Sequence, residues 1–401
     1  LKHVIYLGEG HTPIIRANEP LTAEVGRTFY FKNDGQNPSA SFKDRGMASA
    51  LSFLNYLAVT NNLGNVLAVC ASTGDTSASA ALYASYLSDR VASAVLLPAG
   101  KVTPAQMGQP LGSGAKVFEI PGVFDDAMKV VEELSEHYHV ALLNSKNAWR
   151  IRGQETYSYE IAQWFDWNVA DKVVFVPIGN AGNITSVMAG FLSLLDLNVI
   201  DALPRIVGVQ SEHADPVYRY YLEPDEAKRV WRPVTVQPSA AQAAMIGNPV
   251  SMPRVIRLAR EYNQRAGAGR VNVVQVTEQA IMDNMLLANR QGHIVCTQGG
   301  ECLAGLRRAV AEGLIGPDEE AVLDATAHAL KFADFMQLYF DDAFDPAFGI
   351  TPRPELINRP EAVRPDVACP APGRPLADDQ FRVFVEATAA LVARELGLRK
   401  K

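Results

Sequence analysis

The sequence predicts an α/β protein with open, twisted, mostly parallel sheets and flanking helices. Short, continuously apolar runs alternate with amphipathic or alanine-rich helical stretches along most of the chain. Strands that are apolar throughout are buried on both faces, and helix-covered parallel sheets provide that burial. Glycine- or hydroxyl-rich turns also stand where apolar runs pass into helices, at "GNAGN" and "STGDT".

The elements follow in order. "RTFYFK" (27–32) reads as a strand and residues 41 to about 61 as a helix. Next come strand "NVLAVCAS", helix 76–87, strand "SAVLLP", helix "TPAQMGQPLGS", strand "AKVFEI", helix "FDDAMKVVEELSEHY" and strand "VALLN". A helix at 153–164 leads to strand "KVVFVPIG", helix 183–195 and strand "RIVGVQ". Strand "VNVVQV", helix "TEQAIMDNMLLANRQ", helix 301–312 and strand "AVLDAT" complete the pattern. The first set of units ends near residue 144 and a second begins near 153. This predicts a small α/β domain, 63–145, inserted into a larger one made of 1–62 and 146–401, with a cleft between them. The Pro-rich stretch 344–375 is expected to wrap the surface before a last helix near 378–396.

The 401 residues are 48% hydrophobic and 20% charged, which suits a soluble protein of enzyme size with ample core. A net charge of −7 argues against nucleic acid as a partner, so any bound anion must be captured locally. The four cysteines show no paired spacing, which disfavours a disulfide framework or a metal site. No apolar run is long enough to span a membrane, and no signal-peptide pattern precedes "LKHVIYLGEG", so a cytoplasmic location is expected. Leu1 is not an initiator methionine, and the natural start is expected upstream.

Four stretches carry chemistry. In "NPSASFKDRGM", Ser41 and Asp44 suggest a capping-box-like helix start, which puts Lys43 in the first turn. A lysine there, near the positive end of the helix and partly desolvated, favours the neutral amine that Schiff-base chemistry needs. Taken alone, however, the stretch reads first as a solvated first-turn lysine, since surface lysines are common. In "VPIGNAGN", a strand passes through Gly179, Asn180, Ala181, Gly182 and Asn183 into a helix, an arrangement that nests a phosphate monoester or makes a tight turn. It is neither a Walker A loop nor G-x-G-x-x-G, so a dinucleotide is disfavoured. In "ASTGDTSASAALYA", the hydroxyls and backbone N–H groups of Ser72, Thr73, Asp75 and Thr76 can meet a carboxylate, or merely cap a helix. In "ATAHALKF", Thr326 stands at the carboxyl end of a strand, where open α/β sheets bind ligands.

Taken together and in this order, these stretches resemble the pyridoxal-phosphate enzymes of the tryptophan-synthase-β-like fold (fold type II), and within them the threonine-synthase family. "GEGHTP" and "NSKNAWRIRGQET" are similar to that family as well. The resemblance implies two sheets with the active site in the interdomain cleft, pyridoxal 5′-phosphate as cofactor, and no metal. Lys43 would condense with the cofactor's aldehyde beside Phe42. Gly179 to Asn183 would cradle its phosphate, and Thr326 would meet its ring nitrogen. Ser72, Thr73 and Thr76 would bind the substrate carboxylate. Asn144, Ser145, Arg150 and Lys101 would bind the substrate phosphate. Asp75 stands where many relatives of the wider fold carry Asn beside the cofactor's 3′ oxygen, and is therefore expected to be protonated or to act through its backbone. The implied partner is a small phosphorylated amino acid, O-phospho-L-homoserine, converted with water to L-threonine and phosphate by a homodimer. A serine/threonine dehydratase and an O-phosphoserine-dependent, cysteate-synthase-like enzyme are the rival readings.

Overall fold

The structure is a computed structural model that describes residues 2–63, 66–71, 74–98, 104–121 and 124–400. It forms two compact units, Leu1–Leu356 and Ile357–Lys401. In the first unit, β1 (Ile14–Arg16) and α1 (Glu19–Val25) precede β2 (Phe29–Asn33). Then come α2 (Lys43–Thr60), β3 (Val66–Ala71), α3 (Asp75–Ser85), β4 (Val91–Pro98), α4 (Pro104–Gly112), β5 (Lys116–Ile120), α5 (Phe124–His137) and β6 (Val140–Leu142). Two short helices, α6 (Ala148–Gln154) and α7 (Thr156–Trp164), return the chain to β7 (Lys172–Pro177), α8 (Gly182–Asp196), β8 (Arg205–Ser211) and α9 (Pro216–Tyr221). The unit continues with α10 (Met252–Ala266), β9 (Val271–Val276), α11 (Glu278–Arg290), α12 (Thr297–Ala311), β10 (Glu320–Ala325) and α13 (Ala333–Asp341). The second unit holds α14 (Asp378–Glu395), none of whose residues is buried. No helix among the described residues is long and apolar enough to cross a membrane.

Two sheets organise the first unit. One is six-stranded in the order β1-β2-β10-β7-β8-β9, and the other four-stranded in the order β5-β4-β3-β6. Every pairing is parallel except β1 with β2. The predicted sheet architecture is thus the observed one, with a short antiparallel edge strand that the sequence reading omits. Strand β7 is buried at every position, as a strand covered on both faces must be. Strand β10 runs between β2 and β7: Leu323 pairs with Phe31 on one side and Phe175 on the other.

Two local expectations are corrected. Residues 153–164 do not form one helix, because the helix breaks between α6 and α7 at Glu155. A Cβ at Gly153 would lie 2.2 Å from the Arg45 carbonyl oxygen, so α6 packs against α2 backbone to backbone there. Helix α2 also starts at Lys43, not at Ser41, and no side chain caps it. The Ser41 hydroxyl has no partner, while Asp44 accepts from the Ser39 amide at 2.6 Å and from the hydroxyls of Ser39 and Ser79.

Asp44 reads from the sequence as part of a helix cap, yet it and Arg45 are only 0% and 3% exposed. Arg45 donates Nε and Nη2 to the two oxygens of Asp34, both at 2.8 Å. Its Nη1 reaches Glu160 at 2.5 Å, and Glu160 also accepts from Lys32 Nζ at 2.5 Å. Such a network tolerates burial because every charge is met; breaking one partner leaves an uncompensated ion. Burial alone would raise Glu160, but Arg45 and then Lys32 pull its carboxyl down to about 2. A depressed carboxylate contributes stability that is complete above the ordinary pKa of 4.5 and lost as pH falls toward 2. Glu160→Gln is therefore expected to destabilise the protein by about 3 kcal/mol at neutral pH. In chemical denaturation that deficit should shrink on acidification between those two pH values; a constant deficit would show that the charge is not what matters.

Candidate active site

Three parallel strands lie side by side, and the segment leaving the carboxyl end of each carries candidate residues. Strand β2 leads through the turn 34–42 to Lys43, β7 leads to the 179–183 loop, and β10 leads to Thr326. Parallel neighbours share one carboxyl edge, which is where open α/β sheets hold ligands. The lysine-bearing turn is stitched to the end of β10. The Phe42 amide donates to the Thr326 carbonyl at 2.8 Å, Ser41 bridges Ala327, and the His328 amide donates to Ala40 O at 3.1 Å.

Lys43 is half-buried, with Nζ 4.1 Å from the centroid of the buried Phe42 ring. Burial, and then the Arg150 guanidinium, lower its ammonium to about 7, against opposing pulls from Asp75, Cys70 and Asp324. A substantial fraction is thus the nucleophilic neutral amine near pH 7. Thr326 is 4% exposed, and its hydroxyl lies 3.4 Å from the buried Cys296 thiol.

The 179–183 loop is shaped for an anion. Helix α8 begins at Gly182 behind Ala181, which adopts a left-handed φ of 60°, and no side chain caps the helix start. A Cβ at Gly179 would lie 2.9 Å from Ala244 Cα, so only glycine lets the loop take this path. The loop is fixed at both ends: Asn180 O accepts from the Ser251 amide at 3.2 Å, and Asn183 Nδ2 donates to Asp324 Oδ2 at 2.6 Å. Burial, reinforced by Asp34, raises the Asp324 carboxyl well above its ordinary value, and its Oδ1 has no partner. An uncapped helix start, a half-buried amine and a hydroxyl, all at one sheet edge, fit a phosphate-bearing aldehyde with a heterocyclic nitrogen. Pyridoxal phosphate has these three features.

Arg150 is 1% exposed and pairs with no carboxylate among the described residues. Its Nη1 donates to Leu143 O at 3.2 Å, Nε has no partner, and burial lowers the guanidinium to about 10. A buried cation left without its counter-ion is arranged to receive an anion. Ser145 lies close to the phosphate-loop candidate, its carbonyl oxygen 3.7 Å from where a Gly182 Cβ would be. Half-buried Asn144 uses its Oδ1 to accept from the Lys146 amide at 2.9 Å. Thr76 is half-buried in the first turn of α3. Arg152 is diverted: its side chain is exposed and binds Glu155. Ser72, Thr73 and Lys101 lie outside the described residues.

Asp75 is 7% exposed, and its Oδ1 accepts from Lys331 Nζ at 2.8 Å. A cation therefore stands beside Asp75, which the resemblance implies to be protonated or to act through its backbone. Sequence reasoning missed Lys331 although it lies within "ATAHALKF", and it missed Asp324 and Cys296, whose roles depend on partners distant in the chain. An open groove of about 860 Å³, lined by Arg45, Phe53, Trp149 and Trp167 among others, contains none of the candidate residues.

The chain matches the family described as pyridoxal-phosphate dependent enzyme over residues 5–326. It is 37% identical over 333 residues to the threonine synthase of Methanocaldococcus jannaschii, covering 82% of this chain and 77% of that one. It is 34% identical over 333 residues to the threonine synthase of Mycobacterium tuberculosis, covering 82% and 84% of the two chains. Among solved structures, threonine synthase from Escherichia coli superposes with a TM-score of 0.64 at 21% identity, over 81% of this chain and 71% of that one. Maize serine racemase gives 0.64 at 18% identity, over 83% and 94%. At those identities the structural likeness speaks for the fold alone.

The loop geometry makes a prediction. Gly179→Ala should weaken retention of pyridoxal phosphate about tenfold or more, roughly 1.4 kcal/mol, because the new Cβ displaces the loop from Ala244. Spectrophotometric titration of the cofactor-free protein measures this; unchanged affinity would mean that the loop does not hold the phosphate.

Proposed function

The chain belongs to the pyridoxal-phosphate dependent enzymes, and from that premise we propose that it converts O-phospho-L-homoserine and water to L-threonine and phosphate. The observation that carries the substrate class is Arg150, a buried guanidinium that pairs with no carboxylate among the described residues and whose charge acts on Lys43. A substrate phosphate supplies the missing counter-charge. An amino acid without a phosphate, the substrate of a dehydratase, leaves that cation uncompensated.

On this reading the loop 179–183 and the first turn of α8 hold the cofactor phosphate, Thr326 meets the ring nitrogen and Lys43 holds the aldehyde carbon. When bound, pyridoxal phosphate supplies an electron sink for charge developing beside the substrate amine. The Lys43 amine acts as base, taking the proton from the substrate's Cα and then one from Cβ. Arg150, with Asn144 and Ser145, holds the phosphate on Cγ, so that the C–O bond to be broken stays aligned. After phosphate leaves, water adds at Cβ, and protons returned at Cγ and Cα complete L-threonine. Thr76, with Ser72 and Thr73, is assigned the substrate carboxylate, and Lys101 is assigned to the phosphate subsite. The second sheet, within residues 63–145, is read as the inserted domain, and the enzyme as a cytoplasmic homodimer.

Phosphate release from O-phospho-L-homoserine, measured beside phosphate release from O-phospho-L-serine and ammonia release from L-threonine, tests the assignment. The first activity should dominate; ammonia release alone would make the chain a dehydratase. Lys43→Ala should abolish both turnover and the visible absorbance of the bound cofactor. Arg150→Met should raise KM for the phosphorylated substrate by about a hundredfold, the loss of roughly 2–3 kcal/mol from a charge-assisted contact. Folding should be retained, because an apolar chain of similar length fills the buried space.

A further inference from the structure

Two buried donors at the start of α10 have no partner: the Ser251 hydroxyl and Nη1 of Arg254. Ser251 is 1% exposed and precedes the helix as its N-cap, yet its side chain caps nothing. Arg254 follows in the first turn, where the positive end of the helix disfavours a cation, and that turn carries no acid. Its Nη2 donates to the Lys146 carbonyl at 3.0 Å, so one arm of the fork is engaged and the other is left over. A buried donor without an acceptor is costly unless something else meets it.

The same turn of helix touches both candidate phosphate segments. The Ser251 amide donates to Asn180 O at 3.2 Å, in the 179–183 loop. Arg254 holds Lys146, whose amide in turn donates to Asn144 Oδ1 at 2.9 Å. The two segments are themselves close, since the Ser145 carbonyl oxygen lies 3.7 Å from where a Gly182 Cβ would be.

We propose that Ser251 Oγ and Arg254 Nη1 are further donors to the substrate's phosphate, completing the subsite of Arg150, Asn144 and Ser145. The inference rests on the reading of that subsite given above. A phosphate monoester carries up to two negative charges and three strong acceptor oxygens. A second guanidinium meets the second charge, and the hydroxyl meets a further oxygen. The cofactor's phosphate has the same chemistry, and Ser251 adjoins Asn180. The grip of Arg254 on Lys146 favours the substrate, because it ties this donor to the turn that carries Asn144 and Ser145.

The test uses holoenzyme, in which the cofactor's phosphate already fills its own site, and inorganic phosphate as the probe. Isothermal titration calorimetry reads the binding. Ser251→Ala should weaken it about fivefold and Arg254→Met about tenfold or more, the losses expected for a neutral and a charge-assisted hydrogen bond. Arg254→Lys should fall between wild type and Arg254→Met, because an ammonium keeps the charge but not the fork. KM for O-phospho-L-homoserine should rise in the same order. Thermal unfolding without phosphate checks that each variant is folded; if Arg254→Met is not, Arg254→Gln takes its place. Phosphate affinity that stays unchanged in the Ser251 and Arg254 variants, while Arg150→Met weakens it, would overturn this proposal alone. Weaker retention of the cofactor with unchanged phosphate affinity would overturn it as well, and assign the two donors to the cofactor's phosphate. If wild-type holoenzyme binds no phosphate, or Arg150→Met leaves binding unchanged, the reading of the subsite falls and this inference with it.

Discussion

Three consecutive ionisable residues, Lys43, Asp44 and Arg45, are carried inward by the first turn of α2, and much of the active-site architecture follows from meeting their charges. Successive side chains on a helix project about 100° apart, so the three point in different directions and no single partner can serve them. Arg45 is met by Asp34 at the end of β2 and by Glu160 on α7. Asp44 is met by Ser39 and by Ser79 on α3; burial still raises its carboxyl to about 6, despite those hydrogen bonds. Lys43 has no acid bonded to it among the described residues, and the Arg150 guanidinium lowers its ammonium further after burial.

Strand β10 then organises the rest. Its position between β2 and β7 brings the lysine-bearing turn and the phosphate loop to the same edge, and its last residues bind each of them. Asp324 holds Asn183, and the Thr326 carbonyl holds the Phe42 amide. Asp324 and Thr326 are two positions apart, so along an extended backbone they address the same face. A displacement of β10 would therefore move the phosphate loop and the lysine turn together.

Much of this was legible in the sequence, and for identifiable reasons. The 179–183 loop could be read because left-handed backbone and an uncapped helix start require small residues, which leave a mark on composition. The parallel strands could be read because burial on both faces makes them apolar throughout. Arg45 could not, because its partner Glu160 is 115 positions away, and a charged triplet looks the same on a surface as in a core. Ser41 misled for a similar reason: the spacing to Asp44 imitates a cap, but the acid is bound by Ser39 and by Ser79 on another helix. The break at Glu155 lies two residues past Gly153, whose contact with α2 no periodicity within α6 and α7 reveals.

That contact has a consequence for molecular measurement. Gly46 on α2 faces the backbone of Arg150, where an added Cβ would lie 3.0 Å from the Arg150 carbonyl oxygen, and Gly153 on α6 faces the carbonyl of Arg45. The helices that carry the lysine and the arginine thus approach main chain to main chain at these two glycines. On the proposed assignment, the two glycines fix the spacing of the backbones that carry the reactive lysine and the phosphate-binding arginine. On that assignment, helices α2 and α6 act as the jaws of a caliper, with the span from a ligand's amino group to its phosphate lying between them.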